Sequence, residues 1–137
     1  MEDPLAPSED VREQTAVVTR GTPTGDLRYA QALLDTVVDR QGADVVLLDL
    51  GGLTVFTDYF IIATVDNIRQ AQAIEDAVSN TAGKSGHKAR TEGSADDGWI
   101  LVDAGEGIFV HLFSLEARLY YDLEGLWHRA QEIVRVQ

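Results

Sequence analysis

Two nearly continuous apolar runs, VVLLDL at residues 45–50 and YFIIATV at residues 59–65, constrain this chain more than any other feature. A strand with one wet face alternates apolar and polar residues. A run that is apolar at almost every position is covered on both faces, as the helical layers of an α/β domain cover it. The flanking patterns supply those layers. Leu27, Ala30, Leu34, Val37 and Val38 fall on one face of a helix predicted from Asp26, a plausible cap, to about Gln41, with Gly42 suited to its stop. Ile68, Ala71, Ile74, Ala77 and Val78 give the stripe of a second helix, capped by Asp66 or Asn67 and ending near Gly83.

Three further strands follow from period-two patterning. Residues 88–92 are more polar and suit a sheet edge. Residues 99–104 and 108–113 flank Gly105-Glu106-Gly107 and read as a hairpin. Residues 53–56 read as a short extension of the first strand. A last helix starts near Ser114, with Leu115, Leu119, Leu123 and Leu126 as its core-facing stripe and Trp127 packing its end against the sheet. The expectation is one α/β domain over residues 26–130, a mixed sheet of about five strands with flanking helices. Residues 1–25 contain Pro4, Pro7 and Pro23 and no periodicity, so they read as a flexible acidic tail. Residues 131–137 read as a short C-terminal tail.

Charge and composition narrow the function. At 137 residues the chain can bury a real core, and its net charge is −12 at pH 7. That charge argues against a broad nucleic-acid surface and favours a basic protein partner. Within residues 96–127 the carboxylates Asp96, Asp97, Asp103, Glu106, Glu116, Asp122 and Glu124 face the single base Arg118. There is no cysteine, which excludes disulfides and thiolate chemistry. No apolar run approaches the roughly 20 residues that span a bilayer. The acidic start MEDPLAPSED has no signal-peptide core, so a cytoplasmic chain is expected.

Catalytic motifs are missing. No P-loop, G-x-S-x-G elbow or H-E-x-x-H occurs. Asp122 and Glu124 have carboxylate spacing, but residues two apart on a helix point about 200° apart and cannot chelate one ion. Neither an enzyme nor a cofactor is expected. The alternative is an enzyme with a noncontiguous metal site.

Three segments stand out together: Thr57-Asp58-Tyr59-Phe60-Ile61-Ile62-Ala63-Thr64 with Arg69 opening the next helix; Trp99-Ile100-Leu101-Val102-Asp103 with Val110-His111-Leu112-Phe113; and Arg118-Leu119-Tyr120-Tyr121-Asp122-Leu123-Glu124-Gly125-Leu126-Trp127. They resemble the signatures of the Iojap family, the bacterial ribosomal silencing factors. Their order and spacing fit, over about residues 27–127. The resemblance implies a mixed sheet with helices, distantly nucleotidyltransferase-like. It also implies a protein that binds the large ribosomal subunit through its protein fourteen, blocks joining of the small subunit sterically and so lowers translation. The enzyme alternative then becomes a divergent nucleotidyltransferase-like protein. Two positions depart from the family: Val65 stands where it usually has Gly, and Gly105-Glu106 where it has Gly-Asp.

Candidate partner-binding residues follow. Trp99 and Asp103 share one side of a strand, and a large aromatic is a frequent binding anchor. Tyr121 and Glu124 lie off the leucine stripe. Arg118 also lies off it, with Asp122 four residues on for a local ion pair. Asp58 and Tyr59 sit inside the family signature. His111 reads as a hydrogen-bonded structural residue. A homodimer is left open.

Overall fold

The structure, a computed structural model, describes residues 25–137. The two apolar runs become β1 (Ala43–Asp49) and β2 (Tyr59–Thr64), which pair antiparallel inside a six-stranded mixed sheet. The other strands are β3 (Arg90–Ser94), β4 (Trp99–Asp103), β5 (Ile108–Phe113) and β6 (Gln131–Val136), in the order β3-β4-β5-β2-β1-β6. Only β2 and β5 run parallel, with Tyr59 opposite Ile108 and Thr64 opposite Phe113. A parallel pair needs a long crossover. Here α2 (Ile68–Lys84) and the β3–β4 hairpin provide it.

Both faces of the sheet are covered, as the apolar runs require. On one face α1 (Gly25–Asp39) and α2 bury Leu33, Leu34, Val37, Ile74 and Val78 against Val45, Leu47, Ile61, Ala63, Ile100, Val102, Val110 and Leu112. Alternation sends Val46, Leu48, Ile62 and Phe113 to the other face. There α3 (Leu115–Tyr121) and α4 (Leu123–Leu126) cross the sheet, and Ala117, Leu123 and Trp99 close a smaller cluster.

Local chemistry explains the boundaries. Asn67 caps α2 by accepting from the Gln70 amide at 2.8 Å, and the Gln70 side chain accepts from the Asp66 amide at 2.7 Å. The same Gln70 donates to the Gln41 carbonyl at 2.8 Å, so the start of α2 is tied to the end of α1. Gln41, not Gly42, takes the left-handed conformation, at φ 71°. Gly42 is needed for a different reason: a Cβ there would sit 2.7 Å from Val37 Cγ1. Val65 needs no positive φ. Its amide donates to the Phe113 carbonyl at 2.8 Å and continues the β2–β5 pairing.

Several expectations change. Residues 131–137 are not a tail; β6 pairs antiparallel with β1, Gln131 opposite Asp49 and Val136 opposite Val45. Ile133 and Val134 pack against the main core, which is why the segment is held. The sheet therefore has six strands, and the folded region runs past residue 130. Residues 53–56 add no strand; Gly51 and Thr54 form an isolated bridge in the loop between β1 and β2. The expected N-terminal tail lies outside the described residues, save that Gly25 opens α1.

Candidate docking surface

The last helical segment is inside out relative to its leucine stripe. Ser114 starts α3 by accepting from the Ala117 amide at 3.1 Å. The helix then buries Ala117 and Arg118, with Arg118 only 6% exposed. Leu115, Leu119 and Leu126, expected in the core, are 61%, 72% and 68% exposed, and Tyr120 is 80% exposed. Only Leu123 of the stripe reaches the smaller cluster. The helix also breaks. Asp122 adopts φ 48°, ends α3, and caps α4 by accepting from the Gly125 amide at 3.1 Å. Gly125 leaves room for this cap, since a Cβ there would push the Asp122 carboxylate aside.

An ion cluster replaces hydrophobic burial under this segment. Arg118 donates to both carboxylate oxygens of Glu124, at 3.0 and 3.2 Å, to the Asp44 carbonyl at 2.7 Å and to Thr64 Oγ1 at 2.9 Å. Arg135 on β6 donates to Glu124 at 2.9 Å, to Asp44 Oδ1 at 2.7 Å and to Glu132 at 3.1 Å. Burial works to raise the Glu124 carboxyl, but hydrogen bonds and charge from the two arginines together outweigh it and hold the group below its ordinary value. Arg118, expected at a partner's surface, is thus buried, and Glu124, expected there too, is half-buried and committed to it and to Arg135. The expected local pair of Arg118 with Asp122 gives way to Glu124, because the break at Asp122 folds α4 back.

Beside the exposed leucines lies an aromatic stack. Trp99 meets Tyr121 with ring centroids 4.7 Å apart and Phe113 at 4.9 Å. Its indole N–H donates to His111 Nδ1 at 3.2 Å, so Nε2 carries the proton of the neutral ring. That buried Nε2 has no partner, and burial lowers the His111 pKa to about 3. The structural reading of His111 fits this geometry. Trp127 packs edge-on against Phe60, 6.2 Å between centroids.

The remaining expected residues are at the other end of the sheet. Asp103, opposite Phe109, accepts from the Gly105 amide at 3.0 Å and braces the hairpin turn. Asp58 packs on Gly107, and its amide donates to the Gly107 carbonyl at 2.8 Å. Tyr59 is buried in the main core. Of the expected residues, the structure brings together Trp99 and Tyr121, and separately Arg118 and Glu124, while Asp103 stands at the opposite end of β4 from Trp99. Sequence reasoning paired Trp99 with Asp103 and Arg118 with Asp122 instead. It missed Leu115, Leu119, Tyr120 and Leu126 as surface. It also missed Val55 and Phe56, exposed in the β1–β2 loop.

Among the described residues no three His, Cys, Asp or Glu side chains are grouped to hold a metal ion. No helix there is long and apolar enough to cross a membrane. What the surface offers is a ridge of exposed apolar and aromatic side chains on α3 and α4, with the exposed carboxylates Glu116 and Asp122 interspersed among them. Exposed apolar and aromatic side chains of this kind are the material from which protein interfaces are built.

The family described as "Ribosomal silencing factor during starvation" matches residues 24–137. The ribosomal silencing factor RsfS of Bacillus subtilis is 35% identical over 102 residues, 74% of this chain and 83% of that protein. The one from Haemophilus influenzae is 36% identical over 102 residues, 74% of this chain and 99% of that protein. A crystal structure of a protein from Chromobacterium violaceum superimposes with a TM-score of 0.70 at 30% identity, covering 81% of this chain and 92% of that one.

Proposed function

This chain belongs to the ribosomal silencing factor family, a family of ribosome-associated regulators of translation, and from that premise we propose that it binds the large ribosomal subunit in the cytoplasm and keeps the small subunit from joining. The contact is with protein fourteen of that subunit. The inhibitor works by occupying a surface, with no turnover and no cofactor. The observation that carries this reading is the outward-facing ridge of Leu115, Leu119, Tyr120 and Leu126. Nothing in the described fold covers these side chains, and leaving them wet gains the domain nothing in stability. Packed against a partner, each would lose water-exposed apolar area. Trp99 and Tyr121 extend the ridge with aromatic surface of the kind that anchors interfaces. Net charge of −12 complements a basic ribosomal protein and steers it into contact.

The test is cosedimentation with isolated large and small subunits. The protein is expected to pellet with large subunits alone and to lose affinity as salt rises, because opposite charges are paired. Joint replacement Leu119→Ala with Tyr120→Ala is expected to cost about 2 kcal/mol or more of binding, roughly thirty-fold. Its melting should stay near wild type, since both side chains are exposed. Equal pelleting with both subunits, or undiminished binding by the doubly substituted protein, would count against the reading.

A further inference from the structure

We infer that Arg118 is the positioning residue of the docking ridge: by drawing its own side of α3 onto the sheet it turns Leu119 and Tyr120 away from it. The inference rests on the docking reading above and adds what holds the surface in its outward orientation.

Left to hydrophobic burial, a segment carrying Leu115, Leu119, Leu123 and Leu126 would turn that stripe inward. The structure does the reverse, and helical geometry shows what sets the angle. Successive residues turn by about 100°. With Ala117 and Arg118 against the sheet, Leu119 and Tyr120 swing to the outer side, and Tyr121 comes round far enough to meet Trp99. Ala117 is small and gives little hold. Arg118 gives a firm one, because its guanidinium has acceptors on three elements: the Asp44 carbonyl on β1, Thr64 on β2 and Glu124 on α4.

The backbone has been shaped to supply those acceptors. Asp44 sits at φ 47°, where β1 shifts register between Ala43 and Val46, and there its carbonyl reaches Arg118. Asp122 sits at φ 48°, and the resulting bend returns Glu124 to the same guanidinium. L residues adopt that conformation at a cost that glycine, lacking a Cβ, escapes. Two such residues, far apart in the chain, shape the surroundings of one arginine. Arg135 then ties Glu124 and Asp44 to β6, so the C-terminal strand braces the same cluster.

The test is a double-mutant cycle, read as binding of the full chain to isolated large subunits at low salt. Arg118→Lys keeps the charge and loses the planar fork. It is expected to weaken binding about ten-fold or more in the wild-type background, but less than about two-fold when Leu119 and Tyr120 are already alanine. A ridge stripped of its side chains gains nothing from being turned outward. Equal losses in the two backgrounds would overturn the inference, as would wild-type binding by Arg118→Lys. Should that variant be unfolded at the assay temperature, Thr64→Val takes its place in the cycle. It removes one acceptor and leaves the Glu124 pair; about three-fold weakening confined to the intact ridge is expected, and equal weakening in both backgrounds, or none, overturns the inference. Failure of the docking reading looks different: Leu119→Ala with Tyr120→Ala would bind as tightly as wild type with Arg118 intact, removing the premise and the inference with it.

Discussion

Glu124→Lys is expected to destabilise the fold by about 3–5 kcal/mol, the usual result of removing one partner from a buried ion pair. The carboxylate takes two hydrogen bonds from Arg118, which is almost wholly buried, and one from Arg135. Reversal leaves the Arg118 guanidinium inside the protein without its counter-charge and sets a third cation beside two others. A fall in melting temperature of about 10 °C or more follows for a domain of this size. Glu116→Lys, at an exposed position on the preceding helix α3, is the control and should change stability by less than about 0.5 kcal/mol. Read from sequence, Glu124 is a surface residue whose reversal slows association with a basic partner and leaves the fold intact. Thermal melts separate the two. A Glu124→Lys protein that melts within a few degrees of wild type would mean that the cluster does not hold α4 in place.

The second large effect is a loss of stability in mild acid, and His111 sets its window. Its folded pKa is lowered from 6.5 to about 3 by burial. Above pH 6.5 neither the folded nor the unfolded chain protonates this ring, and it contributes no pH dependence. Between pH 6.5 and 3 the unfolded chain binds a proton that the folded chain refuses. Stability therefore falls as pH drops, by about 2 kcal/mol between pH 7 and pH 5 and by about 4 kcal/mol once pH 3 is reached. Glu124, whose pKa is held below 4.5, adds a further loss only at lower pH, as its carboxylate becomes protonated. The interval from pH 6.5 to 4.5 thus isolates His111. His111→Gln keeps an acceptor within reach of the Trp99 indole and cannot titrate, so its denaturant midpoint should be nearly flat across that interval. The same slope in wild type and His111→Gln would contradict the assignment.

How far the sequence foretold this molecule depends on which interactions shaped each part. The apolar runs at residues 45–50 and 59–65 could be read directly, because burial on both faces is written into every position of a strand. The stripes of α1 and α2 could be read for a related reason, though Ile68 of the second proves exposed while Ala82 extends its buried side. The leucine stripe of α3 and α4 misled. Periodicity reports that a helix has an apolar side; it does not say whether the sheet or a partner receives it. Here the deciding contacts are polar and distant in sequence, Arg118 with Asp44 and Thr64. The strand β6 was missed because Gln131–Val136 is short, half-exposed and paired with a segment near the other end of the chain. Trp99 with Tyr121 could be proposed as surface from residue type, and the two do stack. One signal for the rest was present: an arginine just before a leucine and a tyrosine in a family motif, with Glu124 too far along for an ordinary helical pair.

The most direct measurement of the central claim is the amount of joined ribosome formed when isolated large and small subunits are mixed, resolved on a sucrose gradient. With this protein added first to the large subunits, joined particles should fall as it is titrated in, and the free-subunit peaks should grow with the protein in the large-subunit fraction alone. Leu119→Ala with Tyr120→Ala should need roughly thirty-fold more protein for the same effect. Undiminished joining with the protein bound to the large subunit, or protein carried into the joined particles, would contradict the account.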